Sequence, residues 1–326
     1  MRARESRANG WVFLGVAVGC LFGLAVSASP LQAQQWRFEP LPLENYITDP
    51  DAMNGECAIV DVTGDGHPDL WWSVYAFQNS KSDKARYEKQ KDLYQMAWYK
   101  GPDFKQMFRM HKGFTHGGNW RDMNGDGRPD LVTGLAIHSR ELVWLENPGR
   151  PEQTRAWPVH PIHKGDIDPD FAYDAQSVVV DLDKDGRTDV ILASEEGFDG
   201  VAWYSWDTSQ KKWIKHQVAP AKSYSGLHSL RVADFDRDGD LDIFTAEMHT
   251  SGYIKQVPPH KVAVWENVDI EKNQWKEHVV AETGSHNARV GDINGDGYPD
   301  IIGSNWNNRI KEYPLRPDAW INRIGR

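Results

Sequence analysis

The sequence predicts an all-β chain folded as a five-bladed β-propeller. Three observations carry that expectation. One nine-residue acidic string recurs five times, each copy is flanked by the same β-rich runs, and no amphipathic helix of useful length interrupts them.

The strings run from Asp61 to Asp69, Asp122 to Asp130, Asp181 to Asp189, Asp234 to Asp242 and Asp292 to Asp300. Successive first aspartates are 61, 59, 53 and 58 residues apart. A short alternating apolar stretch precedes each string, as at Val178 to Val180, and a β-rich run follows it, as at Val190 to Ala193. Next comes a strand centred on tryptophan, at Trp98, Trp144, Trp203 and Trp265. A fourth strand carries a W-x-x-H signature, from Trp157 to His160, Trp213 to His216 and Trp275 to His278. Four short strands per repeat, recurring around a ring, make propeller blades. The recurrent tryptophans are then core between blades, and the histidines that follow them in register are structural.

The fifth repeat has its third strand expected near Ile310 to Tyr313 and then lacks the W-x-x-H strand. A matching run, Trp36 to Leu41, stands ahead of the first repeat. The expectation is that this N-terminal segment supplies the outer strand of the last blade, so that closure removes exposed sheet edges. Residues 78–93, polar and rich in lysine, read as an insertion within the first blade.

Residues 1–28 read as a signal peptide, with Arg2, Arg4 and Arg7 ahead of an apolar run and Val26, Ser27 and Ala28 at the cleavage position. Cleavage as late as Ala33 is the alternative, and an uncleaved anchor remains open. Residues 34–326 form the single propeller domain, secreted or periplasmic and expected to be a monomer with no membrane span after processing. Cys20 leaves with the signal, so Cys57 has no disulfide partner in the mature chain and a bound metal is the expected staple. A formal charge of −10 argues against nucleic acid as a partner.

Within each string, oxygen donors at positions one, three, five and nine, with a backbone carbonyl at seven, build a cage. The ligand sets are Asp61, Thr63, Asp65, His67 and Asp69; Asp122, Asn124, Asp126, Arg128 and Asp130; Asp181, Asp183, Asp185, Arg187 and Asp189; Asp234, Asp236, Asp238, Asp240 and Asp242; and Asp292, Asn294, Asp296, Tyr298 and Asp300. Hard oxygen ligands without Cys or His nitrogen select Ca²⁺, at up to five sites. The third and fourth loops offer the most carboxylates, and Thr63 makes the first the weakest.

These loops resemble the FG-GAP-like or VCBS repeat family of calcium-bound propellers. That resemblance covers essentially the whole mature chain and implies the fold and the metal rather than an activity. A weaker resemblance, through His228 to Asp236 and Gly284 to Asn287, is to propellers of the fungal aldos-2-ulose dehydratase type. It implies metal-assisted elimination chemistry on sugars, although those propellers are larger.

Registering the repeats on the first loop aspartate places Gly55, His116, Ala175, His228 and His286 at one level, at the start of each innermost strand. Glu56, Gln176, Ser229 and Asn287 follow, then Asn119, Arg231 and Arg289. The far ends of the second strands bring Glu195, Glu196, Glu247, His249, Asn305 and Trp306 to the same face. A central funnel built from His116, His228, His286, Glu56, Arg231, Arg289, Glu247 and His249 is therefore expected. It could hold Zn²⁺ or another divalent ion and act on carbohydrate as a lyase or dehydratase. A noncatalytic glycan- or protein-binding module is the alternative, and no nucleophile motif supports a serine or cysteine hydrolase.

Overall fold

The computed structural model describes residues 39–41, 43, 53–75, 95–112, 118–135, 141–164, 175–194, 200–220, 223–224, 226–248, 259–304 and 317–324. The chain divides into two compact units, Met1–Pro42 and Leu43–Arg326. All described strands belong to the second unit, and the described residues of the first carry no regular secondary structure.

Five antiparallel sheets follow one another along the chain, and each is a blade. The first holds β1 (Met53–Val60), β2 (Asp69–Tyr75), β3 (Gln95–Tyr99) and β4 (Met107–Lys112). The second holds β5 (Asn119–Arg121), β6 (Asp130–Leu135), β7 (Glu141–Leu145) and β8 (Val159–Lys164). The third holds β9 (Ala175–Val180), β10 (Asp189–Ser194), β11 (Val201–Asp207) and β12 (Lys212–Ala219). The fourth holds β13 (Leu227–Ala233), β14 (Asp242–Glu247), β15 (Val262–Asp269) and β16 (Gln274–Ala281). In the fifth, the described strands are β17 (His286–Gly291), β18 (Asp300–Ser304) and β19 (Pro317–Trp320).

Sequence order equals spatial order in every sheet, so each acidic string is the hairpin between a first and a second strand. The second strand β14 is buried at every residue, because neighbouring blades cover both faces and the usual alternation is lost. The outer strand β16 keeps its alternation of exposed and half-buried positions.

Four apolar clusters fill the successive interfaces between blades. Trp71, Trp98 and Met110 meet Leu131, Leu145 and Trp157 between the first and second blades. Val132 and Trp144 meet Val190 and Tyr204 between the second and third. Ile191 and Trp203 pack on Leu230 and Trp265, and Phe235 and Phe244 pack on Ala288 and Ile301. The third-strand tryptophans are thus blade-to-blade core, with Trp98 fully buried and Trp203 nearly so.

The third strand of the fifth blade differs from expectation. It is β19, pairing Ile301 with Trp320, and not the stretch Ile310 to Tyr313, which lies outside the described residues. Ala319 and Trp320 repeat the small-residue and tryptophan pair found at Ala97 and Trp98. The insertion at 78–93, the signal segment and residues 36–38 of the proposed closing strand also lie outside the described residues. No helix among the described residues is long and apolar enough to cross a membrane.

Candidate functional site: the acidic loops and the inner strands

One residue does the same structural work in all five loops. The ninth-position aspartate, buried in every blade, accepts the position-two amide through Oδ2, at 2.8–2.9 Å from Val62, Met123, Leu182, Phe235 and Ile293. In four blades its Oδ1 accepts an amide near the end of the third strand or just beyond it, from Gly101, Asn147, Asn267 or Asn322 at 2.8–2.9 Å. The carboxylate thereby ties the loop to its own sheet. Two of the donors also reach the preceding blade, with Asn147 Nδ2 donating to Val62 O and Asn322 Nδ2 to Phe235 O, each at 2.8 Å. Residues following the third-strand tryptophan were the readable signal for this clamp, which sequence reasoning missed.

The loops then divide into two groups. In the first, second and fifth, position four is Gly64, Gly125 or Gly295, each at positive φ. Their backbone folds around the first aspartate, whose Oδ1 accepts the position-four and position-five amides at 2.7–3.2 Å. Oδ2 accepts the position-six glycine amide, so both oxygens are occupied. Lysine or arginine also approaches the position-five carboxylate in two of these loops: Lys100 lies 3.5 Å from Asp65, and Arg128 pairs with Asp126.

In the third and fourth loops position four is Lys184 or Arg237, held in the left-handed region at φ 61° and 65°. That conformation is costly for a residue with a Cβ. Both side chains reach the next blade's loop: Lys184 Nζ bonds Gly239 O at 2.7 Å and pairs with Asp240, and Arg237 lies 5.2 Å from the Tyr298 ring centroid. The first aspartates accept only from Gly186 and Gly239, through Oδ2 at 3.0 Å. Asp181 Oδ1 and Asp234 Oδ1 are buried without a hydrogen-bond partner, and so is Asp189 Oδ1.

Three carboxylates converge in each of these two loops, Asp181, Asp183 and Asp189 in one and Asp234, Asp236 and Asp242 in the other, with donor atoms within 4.8 Å of one another. Burial, reinforced by neighbouring carboxylates, pushes Asp189 up to about 7 and Asp242 up to about 6. Asp183 and Asp236 are raised for the same reasons. Buried acceptor oxygens with no donor, surrounded by like charge, could hold a hard cation. Asp130, in the second loop, also rises to about 6 through burial, but there the first aspartate is fully hydrogen-bonded.

First strands of adjacent blades are joined directly: Asn119 Nδ2 donates to Ser177 O and Oγ at 2.9 and 2.8 Å, and Ala288 N donates to Ser229 Oγ at 2.9 Å. Asn119 and Ser229 are therefore staples between blades. Polar residues on the inner strands thus also serve the scaffold.

His228 and His286 do come together, from the starts of β13 and β17. Their rings are 5.1 Å apart at 34°, and both residues are half-buried. The expected arginines lie on the same two strands, with Arg231 bonded to Leu230 O and Arg289 to Asn287 O at 2.8 Å and Ala288 O at 3.2 Å. Glu247 is buried, and its Oε2 accepts Lys261 N at 2.6 Å while its carbonyl accepts Ser285 N. His116 and His249, the Glu56 side chain, and Glu195, Glu196, Asn305 and Trp306 lie outside the described residues.

The outer-strand histidines take up structural positions. His160 stacks on Trp144 with ring centroids 4.2 Å apart and contacts Glu146 at 2.7 Å. His216 stacks on Trp203 at 4.0 Å and bonds Ser205, and His278 pairs with Glu266.

The FG-GAP-like repeat family matches residues 181–245, the stretch that holds both converging carboxylate clusters. No curated protein matches the chain significantly. Among solved structures, an Agrocybe aegerita lectin that recognises non-reducing terminal N-acetylglucosamine is 15% identical, with a TM-score of 0.47 over 84% of this chain and 67% of its own. The V. cholerae biofilm matrix protein Bap1 is 12% identical, with a TM-score of 0.48 over 84% of this chain and 39% of its own. The exotype rhamnogalacturonan lyase YesX is 14% identical, with a TM-score of 0.49 over 87% of this chain and 50% of its own. The chain thus spans two-fifths to two-thirds of the length of these structures. It is a five-bladed β-propeller whose residues 181–245 match the FG-GAP-like repeat.

Proposed function

We propose that the chain is an exported, calcium-stabilised propeller that binds carbohydrate at the inner-strand mouth around His228 and His286. The observation that carries the calcium reading is the unpartnered pair of buried oxygens, Asp181 Oδ1 and Asp234 Oδ1, each inside a three-carboxylate cluster. On this reading the third and fourth loops bind Ca²⁺ strongly. The other three, whose first aspartates are satisfied by backbone amides, bind weakly. Calcium supplies the positive charge that the crowded carboxylates need, and it supplies the stabilisation that a chain with the single exposed Cys57 cannot take from a disulfide. The segment 36–42 would complete the fifth repeat, which has no W-x-x-H strand of its own.

For the ligand, the supporting observation is the approach of two half-buried imidazoles from separate blades. Planar donors and acceptors presented side by side suit sugar hydroxyls. Glu247 is committed to the Lys261 amide, which favours binding over proton abstraction by that carboxylate. Elimination chemistry is the second reading, and the same His pair could move a proton or ligate a divalent ion. A glycan array probed with the wild type and with His228→Ala/His286→Ala tests the proposal. Loss of glycan binding with an unchanged melting temperature is expected. A wild type that binds no glycan, or a variant that binds them equally, overturns the ligand assignment. Ultraviolet-absorbing unsaturated product from a bound uronate oligomer would move the reading to a lyase.

A further inference from the structure

A cleft of about 1230 Å³ opens between the second and third blades, lined by the second and third acidic loops, β8 and the hairpin joining β11 to β12. Its chemistry is opposite to that of the chain. The protein carries a formal charge of −10, yet the lining includes six lysine or arginine side chains and one carboxylate, Asp122. Two of the six cations are already engaged, Arg128 with Asp126 and Lys164 with Glu141 at 3.2 Å. The other four are Arg121, Arg187, Lys211 and Lys212, and among the described residues none of them is held in an ion pair.

Beside these cations stand two half-buried tryptophans, Trp206 and Trp213, with ring centroids 5.6 Å apart at 68°. Trp213 also packs against the core between the two blades, so the pair is anchored from beneath. The third-strand tryptophans make the blade core, but Trp206 is an additional one, with no counterpart in the other third strands. Its place is not explained by the repeat.

We infer that this cleft binds an acidic oligosaccharide, a chain of uronate-type sugars, through Arg121, Arg187, Lys211 and Lys212 with Trp206 and Trp213 as the stacking platform. Guanidinium groups take carboxylates in bidentate pairs, and ammonium groups add unoriented charge. An indole face provides apolar area for the C–H face of a sugar ring while its N–H remains polar. The volume exceeds that of an ordinary small-molecule pocket, which suits several linked rings rather than one. Nucleic acid has a denser line of charge and is repelled by the acidic remainder of the chain. The site is built from blades two and three and does not depend on the histidine mouth formed by blades four and five.

The test uses the full propeller in low-calcium buffer with a galacturonate hexamer as the probe, titrated by calorimetry. Maltohexaose and a short DNA duplex serve as neutral and polyanionic controls. The wild type should bind the hexamer saturably and maltohexaose at least tenfold more weakly. Arg187→Ser/Lys212→Ser and Trp206→Ala should each weaken hexamer binding tenfold or more, with unchanged melting. Lys105→Ser, which removes a charge from the first blade, should bind as the wild type does. No hexamer binding, equal binding of the DNA duplex, or hexamer binding unaffected by the cleft variants overturns the inference. In the last case the histidine mouth remains the site, so failure here is separable from failure of the proposed function.

Discussion

Replacing Asp300 by alanine isolates the clamp role of the ninth position from any role in metal binding. Asp300 is fully buried, and its two oxygens accept Ile293 N at 2.9 Å and Asn322 N at 2.8 Å. The alanine variant leaves both amides without an acceptor, at about 1–3 kcal/mol for each, with partial relief where water reaches them. Asn322 is also the residue that bonds Phe235 O in the fourth blade, so its release loosens the seam between blades. A total near 2–4 kcal/mol is expected, which for a domain of this size lowers the melting temperature by roughly 3–7 °C. Differential scanning calorimetry should show the same loss with calcium and with EGTA, because the first aspartate of that loop is already satisfied by backbone amides. A double-mutant cycle with Asn322→Ala should give a coupling of about 1 kcal/mol. A fall of less than about 2 °C, or a fall seen only with calcium, would refute the clamp.

Two further outcomes follow from the same geometry. In the calcium-free protein the raised Asp189 and Asp242 mean that the folded state holds protons which the unfolded chain releases. Stability from these groups is present below the ordinary carboxylate value and is lost as pH rises towards 6 and 7. Raising Asp189 from 3.8 to about 7 corresponds to on the order of 4 kcal/mol. EGTA-treated protein should therefore melt higher at pH 5 than at pH 7.5, and the opposite order contradicts the reading. Separately, a Cβ on Gly101 would lie 2.1 Å from Pro68 O. Gly101→Ala should cost about 2 kcal/mol or more by chemical denaturation, and a neutral result would mean that the loop shifts freely.

The repeat was legible because a hairpin of aspartates has few structural alternatives, and five copies fixed blade count and strand order together. The distinction between loops was only half legible. The carboxylate count singled out the third and fourth, but the cause lies at position four, where glycine allows the backbone to enclose Asp61, Asp122 and Asp292 while Lys184 and Arg237 do not. The bonds that Asn119 and Ser229 make between blades were not legible, because registry shows height along the axis and not the direction in which a side chain bonds. Registry did bring His228 and His286 together, since equivalent positions on adjacent inner strands are neighbours. Trp320 escaped because the connection between the second and third strands varies from blade to blade, so spacing from the acidic loop does not locate the third strand.

Calorimetric titration of the chelated protein with calcium tests the central claim most directly. Two strong sites per chain are expected, with Asp181→Ser and Asp234→Ser each removing one and Asp292→Ser removing neither. At a hundredfold excess over its dissociation constant each ion adds about 2.7 kcal/mol, so the wild type should melt roughly 10 °C or more above its calcium-free form. Five equal sites, no binding, or loss of a strong site in Asp292→Ser would contradict the account.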